Sequence, residues 1–320
     1  MALVRVCSLT LFSHLSSSSS LIHALIPISS LPICRFSNRR PSISASFSSQ
    51  SSPSSIEMEA PKPNRWKPMC LYHTQGKCTM MDDATHLEKF SHTVDLKVDN
   101  SALNKLRPQN LDYLLVLDLE GKVEILEFPV LMIDAKNMEF IDSFHRFVRP
   151  SIMSEQRIGE YIEGKYGKFG VDRVWHDTAI PFKDVLHEFE EWISNHNLWK
   201  EKGGPLNRAA FVTCGNWDLK TKIPEQCRVS KVKLPLYFME WINLKDIYLN
   251  FYNRRATGMI TMMKELQMPL VGSHHLGIDD AKNIGRVVQR MLGDGVLMQI
   301  TARRNLTSGD VKFLFKNRIR

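Results

Sequence analysis

The hydrophobic positions of this 320-residue chain fall into two regimes. Before about residue 110 they follow no stable period. From Leu111 the run Leu-Asp-Tyr-Leu-Leu-Val-Leu reads as a buried strand, an apolar stretch with few breaks. Gly121-Lys122 reads as a tight turn, Val123–Ile133 as a second strand and Phe140–Phe147 as a third, which together predict an antiparallel meander. Phe182, Val185, Phe189, Trp192 and Ile193 recur at helical spacing and predict an amphipathic helix over 181–197. Ala209–Thr213 reads as a short buried strand, followed by a helix from Trp217 that stops near Pro224. Trp241–Tyr252 and Met259–Leu266 predict further helices. Ile278, Ala281, Ile284, Val288 and Met291 share one face of a helix over 278–291. Strands first, then helices mixed with strands, predict an α/β layer fold with a mixed central sheet. No stretch approaches the roughly 18–20 apolar residues that span a bilayer.

Composition matters mainly through where the charge lies. The chain has 42 Lys+Arg against 34 Asp+Glu, a formal net charge of +8. Residues 1–56 contain no acidic residue, four arginines (Arg5, Arg35, Arg39, Arg40) and 19 serines. Those arginines account for four of the eight excess positive charges. An acid-free, Ser-rich, Arg-containing leader is the composition of an organellar transit peptide, and its serine runs favour the chloroplast over the mitochondrion. A secretory signal is the rival, because Leu21–Ile33 is fairly apolar, although His23 and Pro27 interrupt it. The leader is expected to be disordered. The six cysteines form no disulfide framework: Cys7 and Cys34 lie in the leader, Cys70 and Cys78 close together, Cys214 and Cys227 apart in the C-terminal part. A reducing compartment fits that distribution.

Residues 66–93 hold a second pattern. Cys70 and Cys78 are separated by seven residues, Cys78 and His86 by seven more, and His86 and His92 by five. Two thiolates and two imidazoles suit tetrahedral Zn²⁺. Gly76 supplies the turn, and Tyr72 and Phe90 offer a minimal core. His73 is a spare ligand candidate. The first half resembles CCCH-type RNA-binding fingers. The second half departs from them, and looks more like the end of a PBZ-type finger, so the match is to a zinc knuckle in general.

Asp118 and Glu120 lie two apart at the end of the first strand, so they point to one face. Paired carboxylates beside an apolar strand repel each other and are costly to desolvate, a difficulty that a divalent cation such as Mg²⁺ removes. Two later segments hold similar acids: Cys214–Asp218 after a strand, and His275–Asp280 entering the long helix. Asp279 also suits an N-cap, and His274 and His275 also suit an exposed surface. The order D-x-E, W-D, H-x4-D resembles the DEDDh 3′→5′ exonuclease superfamily, an RNase H-like fold. Within it the chain resembles the enhanced-RNAi and 3′ histone-mRNA exoribonucleases, as a plant, organelle-targeted member. The carrying segments are 116–120, 124–130, 147–150, 211–218 and 277–284, and the resemblance covers roughly 111–303.

That resemblance implies a Mg²⁺-dependent exoribonuclease with two ions (Mn²⁺ as a substitute). Asp118, Glu120, Asp218 and Asp280 would hold them, and His275 would be the general base, with His274 a bystander. The spacing H-x4-D selects Asp280 over Asp279 as the ligand. RNA with a free 3′ end, single-stranded or overhanging, would be trimmed to nucleoside 5′-monophosphates. The alternatives are a non-catalytic RNA-binding protein of the same fold, or a DNA-directed exonuclease. Processing of ribosomal or other structured RNA in an organelle is the expected role, with small-RNA turnover second. The chain departs from the family in a shortened loop after Glu120, which bears on processivity, and in Cys214, where relatives often carry an acid. Basic residues at Lys220, Lys222, Arg228, Lys231 and Lys233, and again from Arg303 to Arg320 with Phe313 and Phe315 interleaved, suit single-stranded RNA. The expected layout is a leader at 1–56, a linker at 57–65, the zinc-finger-like module at 66–93, a linker at 94–110, the exonuclease domain at 111–305 and a basic tail at 306–320.

Overall fold

The computed structural model describes residues 67–94 and 96–319. The expected leader, the 57–65 linker, Trp66 and Arg320 lie outside the described residues. The strands are β1 (Tyr113–Leu117), β2 (Glu127–Asp134), β3 (Phe140–Arg149), β4 (Ile180–Pro181), β5 (Ala209–Thr213), β6 (Glu240–Asn243), β7 (Ala302–Arg304) and β8 (Val311–Phe313). They form one mixed sheet in the order β4-β3-β2-β1-β5-β6-β7-β8. The pairs β1–β2 and β2–β3 are antiparallel, which is the expected meander, and β1–β5 and β5–β6 are parallel. The helices are α1 (Leu71–Thr74), α2 (Ala84–Lys89), α3 (Glu155–Tyr166), α4 (Asp172–Thr178), α5 (Phe182–Asn195), α6 (Ile223–Val229), α7 (Leu244–Tyr252), α8 (Met259–Glu265) and α9 (Gly277–Gly293).

Strand alternation divides the core in two. Leu114 and Val116 of β1 belong to the cluster of Ile278, Ala281, Ile284 and Val288 on α9. Leu115 and Leu117 belong to the cluster of Phe182, Val185, Phe189 and Ile193 on α5. β1 is therefore buried on both faces, as a near-continuous apolar run requires. Each such side chain contributes roughly 1.5–3 kcal/mol on burial, so the two layers fix β1 and α9 firmly relative to each other.

Several elements differ from expectation for local reasons. The second strand starts at Glu127, because residues 121–126 form a loop. Gly121 has φ +124°, and a Cβ there would stand 2.1 Å from the Glu124 carbonyl oxygen. The loop backbone is satisfied by side chains: Lys222 Nζ donates to the carbonyls of Lys122 (2.9 Å) and Val123 (2.8 Å), and Ile125 N donates to Gln226 Oε1 (2.8 Å). The helix expected to stop near Pro224 runs on. A π-helical turn over Asp218–Lys222 passes into α6 with Pro224 in its first turn, and Arg304 donates to the Leu219 carbonyl (3.2 Å) and the Lys220 carbonyl (2.5 Å), which lie where the missing Pro224 N–H would bond. Trp241 and Ile242 open no helix, because they pair with Phe211 and Val212 as β6. Asn243 then caps α7 by accepting from Lys245 N (3.1 Å).

The segments read as a linker (94–110) and a basic tail (306–320) both pack against the domain. In 94–110, Gln109 donates to the Val296 carbonyl (2.9 Å) and accepts from Met298 N (2.9 Å). In 306–320, β8 pairs with β7 and Ile319 N donates to Asp246 Oδ1 (2.9 Å). Apolar periodicity was silent on both, since their docking combines polar groups with apolar residues, such as Leu96 and Phe313, that follow no period. Gln109→Ala should cost about 1–3 kcal/mol, because it strands buried backbone groups. Urea denaturation checks this, and an unchanged midpoint would return 94–110 to the status of a linker.

Candidate active site

Alternation along β1 carries Asp118 and Glu120 past the strand end on the face of Val116, toward α9. Glu120 is held by a bridge to Glu127 on β2. Asp218 opens the π-helical turn that follows β5, the parallel neighbour of β1. Its Oδ1 accepts from Leu119 N (3.1 Å), which ties the two strand ends together. Asp280 lies in the first turn of α9 and accepts from His275 N (2.8 Å). One oxygen from each of Asp118, Glu120 and Asp280 falls within a 4.8 Å cluster, and His274, His275 and Asp280 form a second such group. His275 adopts φ +73°, and its ring stacks on that of His274 at 3.9 Å.

The electrostatics reflect burial first and crowding second. Burial pushes Asp118 well above the ordinary carboxylate range, and Asp218, Asp280 and Glu120 push it further. Burial raises Glu120 to about 7, although Lys165 pulls against it. Burial raises Asp218 to about 6, against the Leu119 N–H. Burial also raises Asp280, against hydrogen bonds from His274 and His275. Lys165 of α3 is the cation beside the group: its Nζ donates to Glu120 Oε2 (2.6 Å) and to the His275 carbonyl (3.3 Å). Carboxylate oxygens crowded in this way are the hard donor set that Mg²⁺ and Mn²⁺ take, so the residues fit such ions.

Not every neighbour has its expected place. Asp279 does not cap α9; the N-cap is Leu276, without a side-chain cap. Asp279 turns back to accept from Ser273 N (2.8 Å), and Lys282 lies 2.9 Å from its other oxygen. His274 is no bystander, since its Nδ1 lies 3.0 Å from both Asp280 oxygens. Burial pushes the Cys214 thiol up to about 12, so it offers no substitute for an acid. Among the basic residues, Lys222 is buried in the loop contacts above, and Arg304 donates to the Gly309 and Leu219 carbonyls (2.7 and 3.2 Å). Arg318 stacks on Phe313 at 4.1 Å.

The structure also brings Cys70, Cys78, His86 and His92 together, with their ligand atoms within 4.8 Å. Cys78 Sγ is 3.7 Å from both His86 Nε2 and His92 Nε2, and those two nitrogens are 3.0 Å apart. Zinc bond lengths give tetrahedral edges of roughly 3.3–3.8 Å; the Cys78–His separations lie in that range and the His86–His92 separation is shorter, so the donor set suits Zn²⁺ by ligand type and clustering. His73 stacks on His92 at 4.3 Å instead of joining the ligand atoms.

The exonuclease (RNase T) family model matches residues 170–288. That span includes Asp218, His275 and Asp280 but not Asp118 or Glu120. An uncharacterized exonuclease domain-containing protein of Arabidopsis thaliana is 62% identical over 267 residues, covering 82% of this chain and 79% of that protein. The chain belongs to the exonuclease-domain family. The 3′-5′ exoribonuclease 1 of Rattus norvegicus is 32% identical over 204 residues, 60% of this chain and 56% of that enzyme, so the chain spans little more than half of that relative. The nuclease domain of 3′hExo, a DEDDh family member bound to rAMP, superposes with a TM-score of 0.52 at 30% identity, covering 60% of this chain and 98% of that one. A 3′-exonuclease seen in 3′-end specific recognition of a histone mRNA stem-loop superposes with a TM-score of 0.55 at 28% identity, covering 66% and 93%.

Three features of this exonuclease-domain chain escaped the sequence reading. Lys165 lies 45 residues beyond Glu120, on a helix whose period went unread. Glu127 is fully buried, and its only signal was a charge inside an otherwise apolar strand. Gly277 gives α9 close approach: a Cβ there would lie 3.0 Å from the Glu127 carboxyl carbon and 3.1 Å from Glu120 Cγ.

Carboxylates with raised folded-state pKa bind more protons folded than unfolded. Their stabilising contribution is complete below the ordinary range near 4 and is lost as pH rises through about 6 to 7. The Tm of chelator-treated protein should therefore fall between about pH 5 and 8. Mg²⁺ should restore it at the upper end and do little at the lower. Differential scanning fluorimetry checks both, and a Tm insensitive to Mg²⁺ at pH 8 contradicts a cation-binding cluster.

Proposed function

We propose that this 3′→5′ exoribonuclease is Mg²⁺-dependent, with Asp118, Glu120, Asp218 and Asp280 holding the ions and His275 as general base. The observation that carries this reading is the convergence of Asp118, Glu120 and Asp280 within 4.8 Å, with Asp218 anchored beside them on Leu119 N–H. Asp280 is aimed by the His275 N–H, and Glu120 is kept ordered by Lys165. Bound divalent cations would neutralise the scissile phosphodiester and activate the attacking water. Burial and the nearby His274 hold His275 below the usual histidine range. Its exposed imidazole is then neutral at pH 7, able to accept a proton from water at the mouth of the site. The substrate is RNA with a free 3′ end, released as nucleoside 5′-monophosphates. The rAMP and histone mRNA named with the related structures support a ribonucleotide substrate.

We further propose that Cys70, Cys78, His86 and His92 hold Zn²⁺, and that the chain works in the chloroplast (the mitochondrion being the alternative) on ribosomal or other structured RNA. The convergence of two thiols and two imidazoles within 4.8 Å supports the first reading, and the acid-free, serine-rich leader supports the second. Import of residues 1–56 fused to a fluorescent protein tests the address, and cytosolic fluorescence would refute it.

Asp118→Asn and Asp280→Asn should each lower the rate of 3′-end-labelled RNA hydrolysis by at least about a hundredfold, since each removes a ligand from a site where single groups carry several kcal/mol. EDTA should abolish activity and Mg²⁺ restore it. Matched RNA and DNA strands decide substrate class: equal or faster hydrolysis of DNA would overturn the ribonuclease reading. Folded Asp118→Asn protein with full activity would overturn the site.

A further inference from the structure

The Cys/His module meets the nuclease domain through buried polar side chains that the proposed chemistry does not use. Gln75 follows α1 and is 4% exposed. Its Oε1 accepts from Phe147 N (2.9 Å), which fixes the amide so that Nε2 faces His145 Nδ1 (3.0 Å). An amide N–H only donates, so Nδ1 accepts and Nε2 carries the ring proton. Nε2–H then donates to Glu127 Oε1 (3.1 Å). Thr74 Oγ1 lies 2.7 Å from the same Nδ1. His145 and Glu127 are 1% and 0% exposed.

Glu127 collects three more donors: Tyr166 OH (3.0 Å), Gly277 N (2.9 Å) and Ile278 N (2.8 Å). The last two are first-turn amides of α9, which Leu276 leaves without a side-chain cap. A carboxylate there also opposes the positive end of the helix dipole. Asp280 is two residues beyond Ile278, and His275 two residues before Gly277. Glu127 thus holds the end of α9 that presents Asp280 against the strand whose bridge partner is Glu120. Apolar packing continues the same connection, because Met69 and Leu71 of the module join the core cluster that holds Leu276 and Ile278. A buried polar set of this size is a poor means of gaining stability compared with apolar packing of the same volume. Its geometry, fully satisfied and directional, suits fixing one arrangement.

We propose that Glu127 and His145 are positioning residues for the nuclease reaction, and that Thr74 and Gln75 complete them, so that the Cys/His module braces the start of α9 and does not act as a separate RNA-gripping finger. This rests on the nuclease reading above. The brace acts on the spacing between Asp280 and Glu120, so it affects every phosphodiester substrate, whatever its length.

The test uses the full chain with Gln75→Leu, His145→Gln and Glu127→Gln, on two substrates. One is a 3′-labelled RNA oligonucleotide. The other is the p-nitrophenyl ester of thymidine 5′-monophosphate, a phosphodiester too small to reach the module. In Gln75→Leu, kcat should fall about tenfold on both substrates, since small misplacements of reacting groups cost this much or more, while KM for RNA stays within about twofold. Hydrogen exchange at Gly277 and Ile278 should speed up. Where Glu127→Gln fails to fold, the peripheral Gln75→Leu still gives these readings. A loss confined to RNA, with the small ester unaffected, would show the module to be an RNA contact and overturn the brace, as would unchanged exchange. Wild-type protein inactive on both substrates, with faster exchange in Gln75→Leu, would sustain the brace and refute the nuclease reading.

Discussion

The burial of four carboxylates at one place is the constraint around which this molecule is arranged. Asp118, Glu120, Asp218 and Asp280 all sit above the ordinary carboxylate range, chiefly through burial. Such a group cannot hold itself together. Three of the four are fastened by different parts of the chain: Asp218 by Leu119 N–H, Asp280 by His275 N–H, Glu120 by Lys165. The two-layer core supplies the force. β1 is clamped between α9 on one face and α5 on the other, so the ends of β1, β5 and α9 converge whether or not the acids favour it.

The same logic explains the polar groups that look out of place in the core. Glu127 is buried, yet hydrogen bonds from His145, Gly277 N and Ile278 N outweigh burial and hold it below the ordinary range. Glu124 is likewise lowered, because Ser151 and Ile152 N–H groups and Gln226 overcome its burial. Lys222 donates to the loop after Gly121. These groups connect elements that apolar packing alone leaves free to slide. They concentrate around the turn between β1 and β2 and the start of α9, the two places that carry the acids.

The loop after Glu120 joins the two halves of the site. Gly121 turns the backbone so tightly that a side chain there meets the Glu124 carbonyl, and Glu120 pairs directly with Glu127. The strand that carries the first acids is therefore in register with the residue that caps the helix carrying the last one. Glu120 and Glu127 close the 121–126 loop with a single bridge.

The sequence by itself determined the meander, the amphipathic α5, the buried β5 and the long α9, because each is written as a period of apolar residues. It also determined the residue types at both sites, because D-x-E on a strand and paired Cys and His constrain chemistry locally. Tertiary structure decided the rest. Trp241–Ile242 became a strand only by pairing with β5. The helix through Pro224 continued, and Lys222 and Gln226 on it bond the 121–126 loop. Segments 94–110 and 306–320 docked through the two hydrogen bonds of Gln109, the β7–β8 pairing and scattered apolar residues such as Leu96 and Phe313, which leave no periodic trace. Lys165, Glu127 and His145 acquired their places from partners 18 to 151 residues away along the chain, and a hydrogen bond of that reach has no local signature.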